Sequence, residues 1–149
     1  MCIRDRNNII ESHLTGTFLS CKIFGGQMAK IGGGSIVNIS SVVGFNPGPV
    51  LAYGAAKGAI INLSKSLSVQ WASNNVRVNA IAPVAGLTPL LKSFMGGNTR
   101  KKKQSFLSTI PIGRFSTPQD MGNAASFLCS DEATMITGVV LEVDGGRCI

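Results

Sequence analysis

The sequence has few acidic residues, few aromatic residues and no long apolar run. Its 149 residues include 7 Asp and Glu against 14 Lys and Arg, and 6% are aromatic. A membrane-spanning helix needs about 18–20 consecutive apolar residues, and no stretch approaches that length. Disorder is excluded as the main state, because 44% of the residues are hydrophobic and only 14% are charged. We therefore expect one folded domain and no membrane partner.

The excess of positive charge does not by itself indicate a nucleic-acid-binding protein. The only dense basic run covers residues 100–103. No aromatic residues interleave with it, as a surface for single-stranded nucleic acid requires. A block of like charges is usually a solvated face. We interpret the run as an exposed loop or helix start, and we expect no nucleic-acid partner.

The cysteines predict neither a metal site nor disulfides. They are Cys2, Cys21, Cys129 and Cys148, and no two of them have the close spacing of a metal-binding or redox pair. No apolar segment followed by a signal cleavage site is visible near residue 1. We therefore expect no metal ligands, and a reducing cytoplasm as the compartment.

Helical and strand patterns alternate along the chain. The predicted elements are a helix over residues 7 to about 30, a strand over 35–40, a helix from 53 that ends at 74–75, a strand over 76–82, a helix that begins at 117 and a strand over 138–143. The stretch from 84 to about 116 is predicted to be irregular with short helices. Strands that alternate with helices favour a parallel sheet, here apolar enough to carry helices on both faces. The sequence therefore predicts an α/β fold.

Tyr53 and Lys57 form the sharpest candidate site. Positions four apart share one face of a helix, and an ammonium beside a phenol is expected to lower the tyrosine pKa. Such a tyrosine can exchange a proton with an alcohol or carbonyl near neutral pH. Ser40 and Ser41 end the preceding strand, and ligands of open α/β sheets bind outside the carboxyl ends of strands. A serine there can donate a hydrogen bond to a substrate carbonyl.

Four ordered motifs carry a resemblance to a known family. They are residues 38–44 (NISSVVG), 53–58 (YGAAKG), 76–83 (VRVNAIAP) and 144–146 (DGG). In their order and spacing they resemble the classical short-chain dehydrogenases/reductases, from about residue 7 to the end. The resemblance implies a Rossmann-like parallel sheet with helices on both faces, which is partial here because the first strands are absent.

The resemblance also implies the chemistry of the site. Tyr53 would be the catalytic acid/base, Lys57 would lower its pKa and bind the nicotinamide ribose, and Ser41 would polarise the substrate carbonyl. A hydride would move between NAD or NADP, which the sequence does not distinguish, and a substrate carbon. Expected substrates are small secondary alcohols or carbonyls, such as 3-oxoacyl thioesters or sugars. A homodimer or homotetramer is expected.

The stretch after the second strand is implied to contact the nicotinamide end of the cofactor. The residues concerned are Pro83, Val84, Gly86 and Thr88. Relatives usually have Pro-Gly at the first two of these positions. The valine here is therefore expected to crowd the cofactor.

Two further features leave alternatives open. His13 stands where the family usually has an asparagine that holds a proton-relay water. An imidazole titrates near neutrality, so His13 either serves the relay or is inert. The catalytic serine is either Ser41, twelve residues before Tyr53, or Ser40, thirteen residues before it. We prefer Ser41, because the following Val-Val-Gly aligns with it.

The family's glycine-rich phosphate loop is not found in this sequence. Residues 32–34 are three glycines that precede a strand rather than open a helix, so they do not form such a loop. We therefore interpret residues 7–149 as the C-terminal catalytic portion of a Rossmann-type dehydrogenase domain, and residues 1–6 as a non-native leader. The alternative is an inactive fragment that acts only as an oligomerisation or interaction module.

Overall fold

The computed structural model describes residues 2–95 and 100–149. Its helices are α1 (Ile3–Ile10), α2 (Gly16–Lys30), α3 (Leu51–Trp71), α4 (Leu90–Phe94), α5 (Arg100–Leu107) and α6 (Pro118–Cys129). Its strands are β1 (Gly34–Ile39), β2 (Val76–Pro83) and β3 (Val140–Val143). No helix in these ranges is long and apolar enough to cross a lipid bilayer.

The three strands form one parallel sheet in the order β1-β2-β3. The central strand is the most deeply buried, with Val76, Val78 and Ile81 at most 1% exposed. An apolar, β-branched central strand is expected where helices cover both faces of a parallel sheet. The predicted α/β class and parallel sheet are confirmed.

The N-terminal helical segment is longer than predicted. A π-helical segment, Glu11–Thr15, joins α1 to α2 without a break, and Gly16 does not interrupt the helix. Helix α1 begins at Ile3 and so includes residues predicted to be a leader. Gly25 is buried where α2 crosses Trp71, and a Cβ built at Gly25 would overlap the indole. The glycine therefore sets how closely α2 approaches the end of α3.

Helix α6 begins as the sequence predicts. The Thr117 side chain accepts from the backbone N–H of Asp120, whose carboxylate accepts from the Thr117 N–H at 2.7 Å, which is a capping box. An additional ion pair was not predicted: Arg114 donates to both carboxylate oxygens of Asp120, at 2.7 and 2.9 Å. Strand β3 is shorter than predicted, because Gly138 adopts a φ of 74° and turns the chain ahead of it.

The irregular stretch after β2 packs against the loop that follows Ser41. Apolar side chains of the two segments form one cluster, which we call the loop core: Val42 of the loop after Ser41, and Val84, Leu91, Ile110 and Phe115 of the irregular stretch. Phe106 of α5 packs on this cluster. The basic run opens α5 with mostly exposed side chains, in agreement with its interpretation as a helix start. The loop core therefore ties the irregular stretch to one side of the sheet's carboxyl edge.

Candidate active site

The predicted catalytic residues meet at the carboxyl edge of the sheet. β1 ends at Ile39 and is followed by Ser40 and Ser41, and α3 carries Tyr53 in its first turn with Lys57 one turn later. Residues four apart on α3 share a face, so both side chains turn toward the end of β1. The parallel register places the end of β2 at the same edge.

The two serines have separate environments. Ser40 is 2% exposed, and its hydroxyl donates to the Lys57 carbonyl oxygen at 2.8 Å. Ser41 is half-buried, accepts from the Val43 N–H at 3.5 Å and hydrogen-bonds the phenol of Tyr53. Ser40 therefore ties β1 to α3, whereas Ser41 stands beside the phenol. This placement agrees with our preference for Ser41.

Lys57 is buried, and its ammonium is held in place. Its Nζ donates to the Ile39 carbonyl oxygen at 2.7 Å and lies 5.5 Å from the centre of the Tyr53 ring. Burial lowers the pKa of Lys57. An ammonium has three donors, and one of them is used here among the described residues. The other two suit the hydroxyls of a ribose, so the residue fits a nicotinamide nucleoside.

The pKa of Tyr53 is raised in this structure, which corrects the expectation that Lys57 would lower it. Burial of the phenol raises the pKa, and the hydrogen bond from Ser41 partly offsets that shift. The lysine charge does not reverse the direction, because its Nζ is held by the Ile39 carbonyl, 5.5 Å from the ring centre. Desolvation of the phenolate outweighs attraction at that separation.

His13 lies against the same tyrosine. Its ring meets the Tyr53 ring edge-on, with centroids 5.1 Å apart and an interplanar angle of 85°. Burial and the nearby Lys57 charge both lower the pKa of His13. The imidazole also lines an open cleft of about 450 Å³, together with Lys57, Asn38 and hydroxyl-bearing residues of the N-terminal helices. His13 is therefore part of the site, and its relay role remains a prediction.

The predicted cofactor-contact residues lie directly after β2 but differ in exposure. Pro83 is half-buried at the strand end, and Gly86 forms an isolated bridge with Ser116. Thr88 is exposed and donates its backbone N–H to the Gly86 carbonyl oxygen at 2.9 Å. Val84 instead buries its side chain in the loop core. The crowding of a cofactor by this valine stays a prediction.

Comparisons with known proteins agree with this geometry. A family model described as enoyl-(acyl carrier protein) reductase matches residues 3–147. The 4-formylbenzenesulfonate dehydrogenase of Comamonas testosteroni is 41% identical over 145 residues, covering 96% of this chain and 58% of the relative. The match leaves a large part of that relative without a counterpart in this chain.

Solved structures give the same result in three dimensions. The 3-ketoacyl-(acyl-carrier-protein) reductase of Brucella melitensis, complexed with NADH, superposes with a TM-score of 0.91 at 36% identity, covering 100% of this chain and 60% of that one. A protein of Beutenbergia cavernae, described as an NAD(P)-dependent gluconate 5-dehydrogenase with NADP bound, gives a TM-score of 0.94 at 34% identity, covering 99% and 59%. The sheet is therefore part of a Rossmann fold, and the chain belongs to the short-chain dehydrogenase/reductase family.

Proposed function

We propose that this chain is the catalytic portion of an NAD(P)-dependent oxidoreductase that interconverts a secondary alcohol and a carbonyl. The observation that supports this most is the meeting of Ser41, Tyr53 and Lys57 at the carboxyl edge of the sheet. These are a hydrogen-bond donor for a carbonyl oxygen, a proton carrier and a fixed positive charge. The chain spans 58% of its Comamonas relative, so the activity of the whole protein is part of the proposal.

Each group has one task in the reaction. The Ser41 hydroxyl donates a hydrogen bond to the carbonyl oxygen, where negative charge develops. Tyr53 gives its phenolic proton to that oxygen during reduction and takes the alcohol proton during oxidation. NADH or NADPH, when bound, supplies the hydride. Because burial holds the pKa of Tyr53 above its ordinary value near 10, the phenol is protonated at neutral pH, and this state suits reduction.

Lys57 binds and orients rather than transferring the proton itself. Its ammonium is fixed by the Ile39 carbonyl at 2.7 Å, which leaves donors for the ribose hydroxyls of the cofactor. The backbone from Pro83 to Thr88 borders the same edge and would contact the nicotinamide end. NADH and NADP each occur in a related structure, so either cofactor is compatible with the proposal.

The substrate is proposed to be a small alcohol or carbonyl compound. The relatives are described as enzymes for an aromatic aldehyde sulfonate, an acyl-carrier-protein thioester and a sugar acid, so the family does not narrow the substrate class. We extend the proposal to a cytoplasmic enzyme that works as a homodimer or homotetramer.

One observation favours a second candidate, an oligomerisation or interaction module without activity. The outward face of α2 carries large apolar side chains that are 47–62% exposed: Phe18, Leu19, Ile23 and Phe24. An apolar patch on a helix is typical of a protein–protein contact. Sedimentation of the chain as a dimer or tetramer, together with no change in NADH or NADPH fluorescence on mixing, would favour the module.

The enzyme proposal is tested with a hybrid enzyme. The part of the Brucella melitensis reductase that precedes the region aligned with this chain is joined to residues 3–149 of this chain. The reduction of a panel of carbonyl compounds is then followed with NADH and with NADPH. We expect turnover that is lost on Lys57→Met and Ser41→Ala. A folded hybrid that binds NADH but turns over no carbonyl at any concentration would contradict the proposal.

A further inference from the structure

A buried asparagine joins three elements that surround the active site. Asn38 of β1 is 6% exposed, and its side-chain oxygen accepts from the Cys21 thiol of α2 at 3.3 Å. Its side-chain nitrogen donates to the Ser64 hydroxyl of α3 at 2.9 Å, and that hydroxyl donates in turn to the Ile60 carbonyl oxygen at 2.8 Å. Cys21 and Ser64 are buried as well. One amide therefore holds α2 and α3 to the same point of β1.

Packing alone does not explain an amide at this position. A leucine has nearly the same shape and would avoid the cost of removing polar atoms from water. An asparagine presents an acceptor and a donor on one planar group, and here each is used toward a different helix. A fully bonded buried network of this kind fixes one arrangement of the elements that it joins. The Asn38 amide therefore sets the position of α2 relative to α3.

The next two residues of the chain hold Lys57. The Ile39 carbonyl oxygen accepts from the Lys57 Nζ, and the Ser40 hydroxyl donates to the Lys57 carbonyl oxygen. Because side chains alternate along an extended chain, Asn38 and Ser40 face the same side of the sheet, and both are bonded to α3. Asn38 and Lys57 also line one cleft of about 450 Å³, together with His13. The amide therefore lies next to the two bonds that keep Lys57 in place.

The contact with α2 fixes the other wall of this cleft. Cys21 lies eight residues after His13, on the helical segment that runs from α1 into α2 without a break. That segment meets the Tyr53 ring through His13 and meets Asn38 through Cys21. In the part of the chain that the structure describes, the contact of Cys21 with Asn38 is the only side-chain hydrogen bond between α2 and β1. Loss of this bond would free the segment that carries His13.

We propose that Asn38 is a positioning residue of the active site. Its side chain fixes the His13 ring against Tyr53, and it fixes the end of β1 against the helix that carries Tyr53 and Lys57. Asn38 acts through the residues that it places rather than on the reacting atoms. Its effect on turnover rests on the proposed function, whereas its effect on the contacts of the folded chain does not.

The test replaces two buried asparagines of neighbouring strands. Asn38→Leu removes the amide, while Ser64 keeps its bond to the Ile60 carbonyl oxygen. Asn79→Leu is the matched control, because Asn79 is fully buried and its amide joins β2 to the segment ahead of β3. Both variants are made in the 149-residue chain and their stability is compared by urea unfolding. Both should destabilise the protein, and only Asn38→Leu should change the active site.

Three measurements report the active site, since Tyr53 is the only tyrosine and His13 the only histidine. The nuclear Overhauser effect between the two rings should be lost in Asn38→Leu, because it depends on their edge contact. The imidazole titration midpoint should rise and the tyrosinate midpoint should fall, since burial lowers the pKa of His13 and raises the pKa of Tyr53. All three measurements should stay unchanged in Asn79→Leu.

Two results would overturn the proposal. One is an equal change in both asparagine variants, and the other is an unchanged ring contact with unchanged midpoints in a folded Asn38→Leu protein. If Asn38→Leu does not fold, Cys21→Ala is compared with Cys129→Ala, which removes an exposed thiol of α6. The loss of ring contact is then expected in Cys21→Ala alone, and a retained contact would overturn the proposal as well.

Turnover is measured separately, in the hybrid enzyme. A misplacement of about 1 Å can cost about a hundredfold in rate, so kcat of Asn38→Leu should fall at least about tenfold below that of Asn79→Leu. Equal kcat values in the two variants would overturn the positioning role. A wild-type hybrid without turnover, in which the ring contact still depends on Asn38, would count against the oxidoreductase proposal alone.

Discussion

At the scale of single residues, burial gives two identical neighbouring side chains different surroundings. Ser40 and Ser41 are neighbours in sequence, but the Ser40 hydroxyl donates a hydrogen bond to the Lys57 carbonyl oxygen, whereas the Ser41 hydroxyl hydrogen-bonds the phenol of Tyr53. The motif alone left the choice open, because both spacings to the tyrosine are acceptable. Alternation along an extended chain places successive side chains on opposite faces, and only the fold shows which face is solvent-accessible.

The first prediction concerns the ionisation of Tyr53. It is the only tyrosine in the chain, so the ultraviolet absorbance of tyrosinate reports this residue alone. Burial should place its pKa above 10, and Ser41→Ala should raise it further, because that variant loses the hydrogen bond that lowers the pKa. Ser108→Ala, which removes an exposed serine hydroxyl just after the end of α5, is the control. A midpoint below 10 in the wild type would show that the lysine charge outweighs burial.

The second prediction concerns His13, the only histidine. Burial and the Lys57 ammonium both disfavour the imidazolium, so the NMR titration midpoint should lie below 6.5. Tyr53 and Lys57 face the ring from α3, β1 contributes no charged side chain, and Glu11 lies on the same helical segment. Lys57→Met should move the midpoint upward. Lys65→Met removes one positive charge from an exposed position of α3 and should leave the midpoint unchanged. Equal shifts in both variants would contradict a local effect.

At the scale of helices and strands, signals from residues close together in the sequence were sufficient to predict most element boundaries. The Thr117-Pro118 start of α6 and the β-branched runs of β1 and β2 depend on neighbours within one or two turns, and the structure has these elements where they were predicted. Contacts between distant residues could not be derived in this way. The approach of α2 to Trp71 at Gly25 is one example, because the sequence around Gly25 does not indicate which distant side chain it meets.

The third prediction tests that approach. Gly25→Ala places a methyl group in the space of the Trp71 ring, and overpacking of this kind costs about 1–3 kcal/mol of unfolding free energy. Gly26→Ala is the matched control, since a Cβ there meets no atom within 4 Å. It should stabilise the helix by roughly 0.5–1 kcal/mol, because glycine is a poor helix former. Urea unfolding of both variants gives the comparison. A Gly25→Ala protein as stable as Gly26→Ala would show that the two helices do not meet as described.

At the scale of the whole molecule, the order of the motifs was enough to predict the family. The direction of a pKa shift could be derived only from the folded structure. Each of the four motifs is a short run of neighbouring residues, so their order and spacing could be taken directly from the sequence. They predicted both the parallel sheet and the edge of it where Tyr53 lies. The direction of the Tyr53 pKa shift was wrong, because it depends on how much of the phenol the surrounding elements cover.

The central claim is that Tyr53 carries the proton in a nicotinamide-dependent reaction. The most direct measurement is the initial rate of carbonyl reduction by the hybrid enzyme, compared with its Tyr53→Phe variant at saturating NADH or NADPH. Phenylalanine keeps the ring against His13 and Lys57 and removes only the hydroxyl. General acid–base catalysis contributes about 10²–10⁴-fold, so kcat should fall at least about a hundredfold while NADH binding is retained. A Tyr53→Phe hybrid that reduces its substrate at the wild-type rate would contradict the account.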